Sequence, residues 1–196
     1  MGLDTSFAKF ITESVNEHFH SNKGLRMLEL GDQVFWEKGK PISLTGKKYF
    51  TELGFEHTSV DLNGLNGSLI RDLRNPNDFL EFIDFFDVIT NAGTTEHVEP
   101  FESQIVCYKI LHDCLKPGGI FIHILPDSSE VDGMWRNHCK FYYNQLLFEN
   151  LARECNYTIL KSEIIRGNIC VAMIKNNDST FDSKSKVFEK FLLVRN

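Results

Sequence analysis

The residues with chemical reach are acids, imidazoles and a glycine, and they recur at the ends of apolar runs. In R-M-L-E-L-G-D-Q-V-F-W at 26–36, a run carrying one acid, Glu29, breaks at Gly31. A short buried strand ending in a glycine turn brings backbone N–H groups to the carboxyl edge of a sheet, where small ligands sit in open α/β folds. Gly31 has no Cβ, so the backbone can approach such a ligand closely. The Glu29 carboxylate, just before the turn, suits an amino group or a hydroxyl. Asp61 closes a second run at 57–60. An acid there can accept hydrogen bonds from both hydroxyls of a ribose. Glu96-His97 follows a third run, F-D-V-I-T at 86–90. An imidazole with an ordinary pKa near about 6.5 suits proton removal at neutral pH, and Glu96 is placed to orient it. Each feature also has a plainer reading. Every strand needs an exit, an aspartate before Asn-Gly is a common turn residue, and a glutamate opening a helix is favoured by the helix dipole.

The surrounding pattern supplies elements that could hold these groups. Phe7, Phe10, Ile11, Val15 and Phe19 recur at spacings of three and four, which predicts an amphipathic helix over 4–20. Strands are expected at 25–30, 57–60, 69–71, 86–90 and 120–125. Helices are expected at 45–53, 76–85, 101–115 and 142–155. Lys116-Pro117-Gly118-Gly119 reads as a breaker. The runs 157–165 and 169–174, joined at Gly167-Asn168, read as a hairpin. Residues 32–45, with Trp36, Gly39 and Pro41, read as a long irregular loop, a length uncommon without a function. Residues 127–138 read as a second loop, and 187–194 as a final docking segment. Strand and helix alternate, then a hairpin follows, so the sheet is mainly parallel with helices on both faces.

At 196 residues the chain suits a single domain, 1–196, with an N-terminal helix in 1–22 and a polar tail in 176–196. A formal charge of −6 without a lysine cluster argues against bulk nucleic acid. No apolar run approaches the roughly 18 residues of a membrane helix, and no secretory leader is read at the N-terminus. Five dispersed cysteines without a C-x-x-C pair suit a reduced, cytoplasmic protein. The sequence does not fix an oligomeric state.

L-K-P-G-G-I-F-I-H at 115–123, F-D-V-I-T-N at 86–91, E-H-V at 96–98 and E-L-G at 29–31 together resemble a class I S-adenosylmethionine-dependent methyltransferase of the small-molecule branch. The resemblance covers about 25–174 and implies a Rossmann-like sheet of seven strands, mostly parallel, with an antiparallel last strand. It departs from the family in two places. Where E-x-G-x-G-x-G is usual, the chain has E-L-G-D-Q-V-F, with Gln33 and Phe35 at the later glycine positions. Asp61 also follows Gly31 by about 30 residues rather than about 20, because 32–45 intervenes and would lie over the cofactor edge.

The resemblance implies S-adenosyl-L-methionine as cofactor and a small-molecule acceptor, methylated on a hydroxyl or amine. Glu29 and Gly31 would border the methionine part, with Asp32 and Gln33 replacing the lost glycines by side-chain hydrogen bonds. Asp61, with Leu62 beside it, would bind the ribose, and Asp72 and Leu73 would reach the adenine. Asn91 would border the transferring methyl. His97, oriented by Glu96, is the favoured base, with His123 and His138 also placed to face the acceptor. Trp135, Tyr142 and Tyr143 could wall a pocket, although aromatic core is the commoner fate. Relatives with E-x-x-E-H hold a divalent ion, but Gly93 stands at the first glutamate position, so no metal is expected. The alternative is a methyltransferase-like binding or scaffold protein without catalysis. All of this requires a space beside the first strand that Gln33 or Phe35 would fill by turning inward.

Overall fold

A computed structural model describes residues 2–182 and 186–195. Residues 183–185 and 196, part of the expected polar tail, lie outside the described residues.

Helix α1 (Thr5–Phe19) starts where Asp4, in extended backbone, accepts from the N–H groups of Ser6 and Phe7 at 2.8 and 3.0 Å. There follow β1 (Arg26–Leu30), β2 (Val34–Glu37), β3 (Lys40–Thr45), α2 (Gly46–Glu52), β4 (Glu56–Asp61) and β5 (Leu69–Ile70). Next come β6 (Phe86–Ala92), α3 (Glu102–Cys114), β7 (Leu115–Pro126), β8 (Phe141–Tyr142) and α4 (Gln145–Cys155). The chain closes with β9 (Tyr157–Ile165), β10 (Asn168–Lys175), α5 (Val187–Phe191) and β11 (Leu193–Val194).

Seven strands form one sheet in the order β5-β4-β1-β6-β7-β10-β9. The pairs from β5 to β7 are parallel, and β10 is antiparallel to both β7 and β9. The expected seven-stranded, mostly parallel sheet with an antiparallel last strand is therefore present. Alternate residues along each central strand face opposite layers. Met27, Val88 and Ile122 pack with Phe10, Ile11 and Phe50 under α1 and α2. Leu28, Ile89 and Phe121 pack with Leu111, Phe148 and Phe188 under α3, α4 and α5. The central strands are mostly apolar because both faces are covered, with Glu29, Asn91 and His123 as buried exceptions.

The structure corrects four boundaries. Residues 32–45 are not an irregular loop: β2 and β3 form an antiparallel ribbon, linked to the chain start by the Leu3–Phe35 bridge. Phe35 is buried in the core under α1, so it leaves the sheet edge free. Lys116-Pro117-Gly118-Gly119 does not break the chain between helix and strand but bulges within β7, where the register against β6 shifts between Phe86 and Val88. The segment expected as a helix from 142 becomes helical only at Gln145, because Asn144 caps Leu147 N–H at 2.9 Å while Phe141 and Tyr142 pair with β11. The helix expected over 76–85 is a 3-10 turn over Pro76–Phe82. The docking segment at 187–194 does bury Val187 and Phe188 in the second core layer.

Candidate active site

Four loops, leaving the carboxyl ends of β1, β4, β5 and β6, enclose a cleft of about 220 Å³. Gly31, Asp61, Leu62, Asp72, Leu73 and His97 all line it. Gly31 sits at φ 82°, and a Cβ there would come within 2.6 Å of Gln33 Nε2 and 2.8 Å of Thr94 Oγ1. Glycine is thus required both by conformation and by space.

Asp61 is held rather than loose. Its Oδ2 accepts from Asp32 N–H and its Oδ1 from Asn63 N–H, each at 2.9 Å. Asp32 turns outward, its own Oδ2 accepting from Asn66 at 2.7 Å. Gln33 turns inward: its Nε2 donates to Leu30 O at 3.2 Å and to Thr94 Oγ1 at 3.4 Å, while Oε1 meets no partner among the described residues. Its carboxamide therefore occupies the space beside Gly31. At the far end of the cleft, Arg74 grips Asp72 through Nε and Nη2 at 2.9 and 2.7 Å, which holds the Asp72 carboxyl below its usual range.

Other expected site residues lie off this cleft. Glu29 is buried beneath α2, with Oε2 3.3 Å from His57 Nε2; burial raises its pKa, and His57 acts against that. Asn91 is buried, donating to Thr95 Oγ1 at 2.8 Å and lying 3.2 Å from His123 Nδ1. The His123 ring stacks against Tyr108, and burial pushes its pKa down to about 3. It is a neutral core aromatic that helps fix Asn91, and it does not reach the cleft. Tyr142 and Tyr143 are buried as well.

Sequence reading missed how the His97 loop is pinned. Tyr143 donates to Gln104 Oε1 at 2.8 Å and to Thr95 Oγ1 at 3.1 Å, and Gln104 Nε2 donates to Thr95 O and Val98 O at 2.7 and 2.8 Å. Glutamine on an otherwise apolar face of a predicted helix was the available signal.

Glu96, His97 and His138 meet in one cluster, their ligand atoms all within 4.8 Å of one another. Glu96 is fully buried, and neither carboxylate oxygen meets a hydrogen-bond partner among the described residues. Burial pushes its pKa up to about 7. Its Oε1 lies 3.7 Å from His97 Nε2, and the His97 and His138 rings meet edge to face at 5.1 Å. Burial lowers the pKa of both histidines, His138 to about 4. Near neutral pH the cluster thus holds two neutral imidazoles beside a carboxyl poised to titrate. Two imidazoles and a carboxylate are also a donor set that first-row divalent ions accept; Gly93 adds no fourth side chain.

The raised Glu96 pKa has a thermodynamic sign. Between its unfolded value of about 4.5 and about 7, the folded chain binds the extra proton, so this group's contribution to stability falls as pH rises. Glu96→Gln removes that loss. Its stability relative to the parent, measured by urea unfolding, should improve by about 2 kcal/mol from pH 5 to pH 8. A difference independent of pH would contradict a protonated Glu96.

The sequence matches no family model and no curated protein. By structure the chain is similar to Burkholderia thailandensis 1,6-didemethyltoxoflavin-N1-methyltransferase with bound 1,6-didemethyltoxoflavin and S-adenosylhomocysteine. The two are 17% identical at a TM-score of 0.61, over 88% of this chain and 80% of that one. It is similar also to the N-methyltransferase NodS from Bradyrhizobium japonicum in complex with S-adenosylhomocysteine, 13% identical at a TM-score of 0.57, over 87% of each chain. At such identities the likeness is one of fold, the one that these two methyltransferases share.

Proposed function

We propose that the chain transfers a methyl group from S-adenosylmethionine to a hydroxyl or amine of a small molecule. The observation that carries this reading is the cleft at the β1 and β4 ends, where Gly31 lines the opening, Asp61 presents a fixed carboxylate and His97 stands on a further wall. The bound S-adenosylhomocysteine of the two similar structures supports it. Asp61 would hold ribose hydroxyls, while Leu73 would cover the base as an apolar wall. Bound there, the cofactor supplies a methyl group already activated on a sulfonium. The protein's task is then chiefly alignment, which can contribute about 7–11 kcal/mol. His97, neutral at pH 7, would take the acceptor's proton, and its neighbour Glu96 would orient the ring. We place this activity in a reducing compartment such as the cytoplasm, a reading supported by five free cysteines, four of them buried. No helix of the described residues is long and apolar enough to cross a membrane.

Calorimetry with S-adenosylhomocysteine tests the reading directly. Asp61→Asn should weaken that binding by about tenfold to a hundredfold, the worth of one or two hydrogen bonds to a charged acceptor. Absence of heat at high micromolar ligand, with the protein folded, would sink the reading. A second reading, a methyltransferase-like scaffold without turnover, is favoured by Gln33, whose side chain fills the space beside Gly31. Binding without methyl release across varied acceptor pools would select it.

A further inference from the structure

We propose that a second recess takes a planar aromatic acid carrying a hydroxyl or N–H donor; its role as the methyl acceptor's seat rests on the methyltransferase reading. The recess measures about 450 Å³ and lies between the start of α1, the β2–β3 turn, the 127–138 loop and the β9–β10 turn. That volume suits one small organic ligand.

Three features define the ligand. Both tryptophans of the chain, Trp36 and Trp135, line the recess. Trp135 is fixed by its Nε1 donating to Gly167 O at 2.7 Å, while Trp36 remains 40% exposed, an apolar face with room for a ring.

The second feature is charge. The recess is lined by Lys38 and Arg166, which open the two tight turns Lys38-Gly39 and Arg166-Gly167. All four turn residues have positive φ, with Lys38 at 50° and Arg166 at 51°. Asparagine, aspartate or glycine is the usual first residue of such turns, because a longer L side chain is strained there. Two separate turns thus carry a cation at a disfavoured position, and both face one recess. Asp4 pairs with Arg166 at 2.5 Å and leaves the set with an excess positive charge.

The third feature is unmet polarity. Asn168 is fully buried and lines the recess, and its Oδ1 meets no partner among the described residues, nor does His138 Nε2. A ligand hydroxyl or N–H would satisfy an oxygen left in that state. His138 also touches His97, which lines the cofactor cleft, so the recess and the cleft meet at the histidine pair.

Because the tryptophans are confined to this recess, their fluorescence reports on its occupancy. Titration with 4-hydroxyphenylacetate should give a saturable change. Affinity should be about tenfold weaker for the uncharged 4-hydroxyphenylacetamide and for the non-aromatic 4-hydroxycyclohexylacetate, since each lacks one of the contacts above. Arg166→Gly keeps the turn, because glycine accepts that φ. It should weaken the acid by about tenfold and leave the amide unchanged. Lys38→Asn, equally compatible with its turn, should act in the same direction. No saturable change in folded protein, equal affinities for the three ligands, or an unaffected Arg166→Gly would each overturn the proposal. S-adenosylhomocysteine calorimetry on the same sample separates the two readings. Heat without a fluorescence response removes only the recess; the reverse removes only the methyltransferase.

Discussion

Alanine at His97 lowers methyl-transfer turnover by about 10²–10⁴-fold, the usual contribution of a positioned general base, while S-adenosylhomocysteine affinity stays nearly constant. The expectation follows from position. Among the described residues His97 is the one histidine lining the cleft, its side chain is 45% exposed, and its lowered pKa keeps the ring neutral and able to accept a proton. Asp61 and Leu73, on the opposite walls, do not depend on the ring. Methyl release from labelled cofactor measures the first quantity and calorimetry the second. An undiminished rate in His97→Ala would pass the base role to His138, its ring neighbour. His123 is no candidate, being 2% exposed and stacked in the core. A parallel fall in rate and cofactor affinity would mean that the loop, rather than the imidazole, had been lost.

Lys175→Met should cost about 3–4 kcal/mol of folding stability. Lys175 is 5% exposed on β10, and its ammonium donates to Leu115 O at 2.6 Å, His112 O at 2.8 Å and Asp84 Oδ1 at 3.1 Å. Two of these acceptors are carbonyls at the end of α3, which have no intrahelical donor of their own. Methionine fills the volume but leaves both buried carbonyls unpaired, at about 1–3 kcal/mol each. For a domain of this size the melting temperature should fall by roughly 6–16 °C. Urea unfolding followed by circular dichroism measures it, and a loss below about 1 kcal/mol would show that water replaces the ammonium without penalty.

The sheet was legible because its strands are continuous apolar runs separated by glycine and proline, and the helix faces repeat at helical spacing. Asp61 could be placed from its position alone, since the end of the second strand determines which edge it faces. The β2–β3 ribbon was not legible. Its strands pair with each other and, through Phe35, with Leu3 at the chain start; Pro41 interrupts the pattern, and Phe35 is buried between α1 and Tyr49 of α2. His123 interrupts an apolar run near its end and looks accessible, yet Tyr108 and Phe148 arrive from α3 and α4 to enclose it. The meeting of His97 with His138 is a long-range event fixed by where the 127–138 loop folds back. Gln33 was readable as a lost glycine, but the direction of its side chain depends on Thr94, supplied by the loop after β6.

The chain start is sewn to β2 by the Leu3 N–H to Val34 O and Trp36 N–H to Leu3 O bonds, and to the β9–β10 turn by Asp4 and Arg166. Helix start and ribbon therefore form one layer, tied at the turn to the sheet it covers, and a layer of this kind can open below the free energy of global unfolding. A molecule seated beneath them would have to leave before the layer could peel away. Detachment of the amino-terminal layer and release of that molecule are then a single equilibrium, and the layer's hold on the sheet grows with the logarithm of the free ligand concentration.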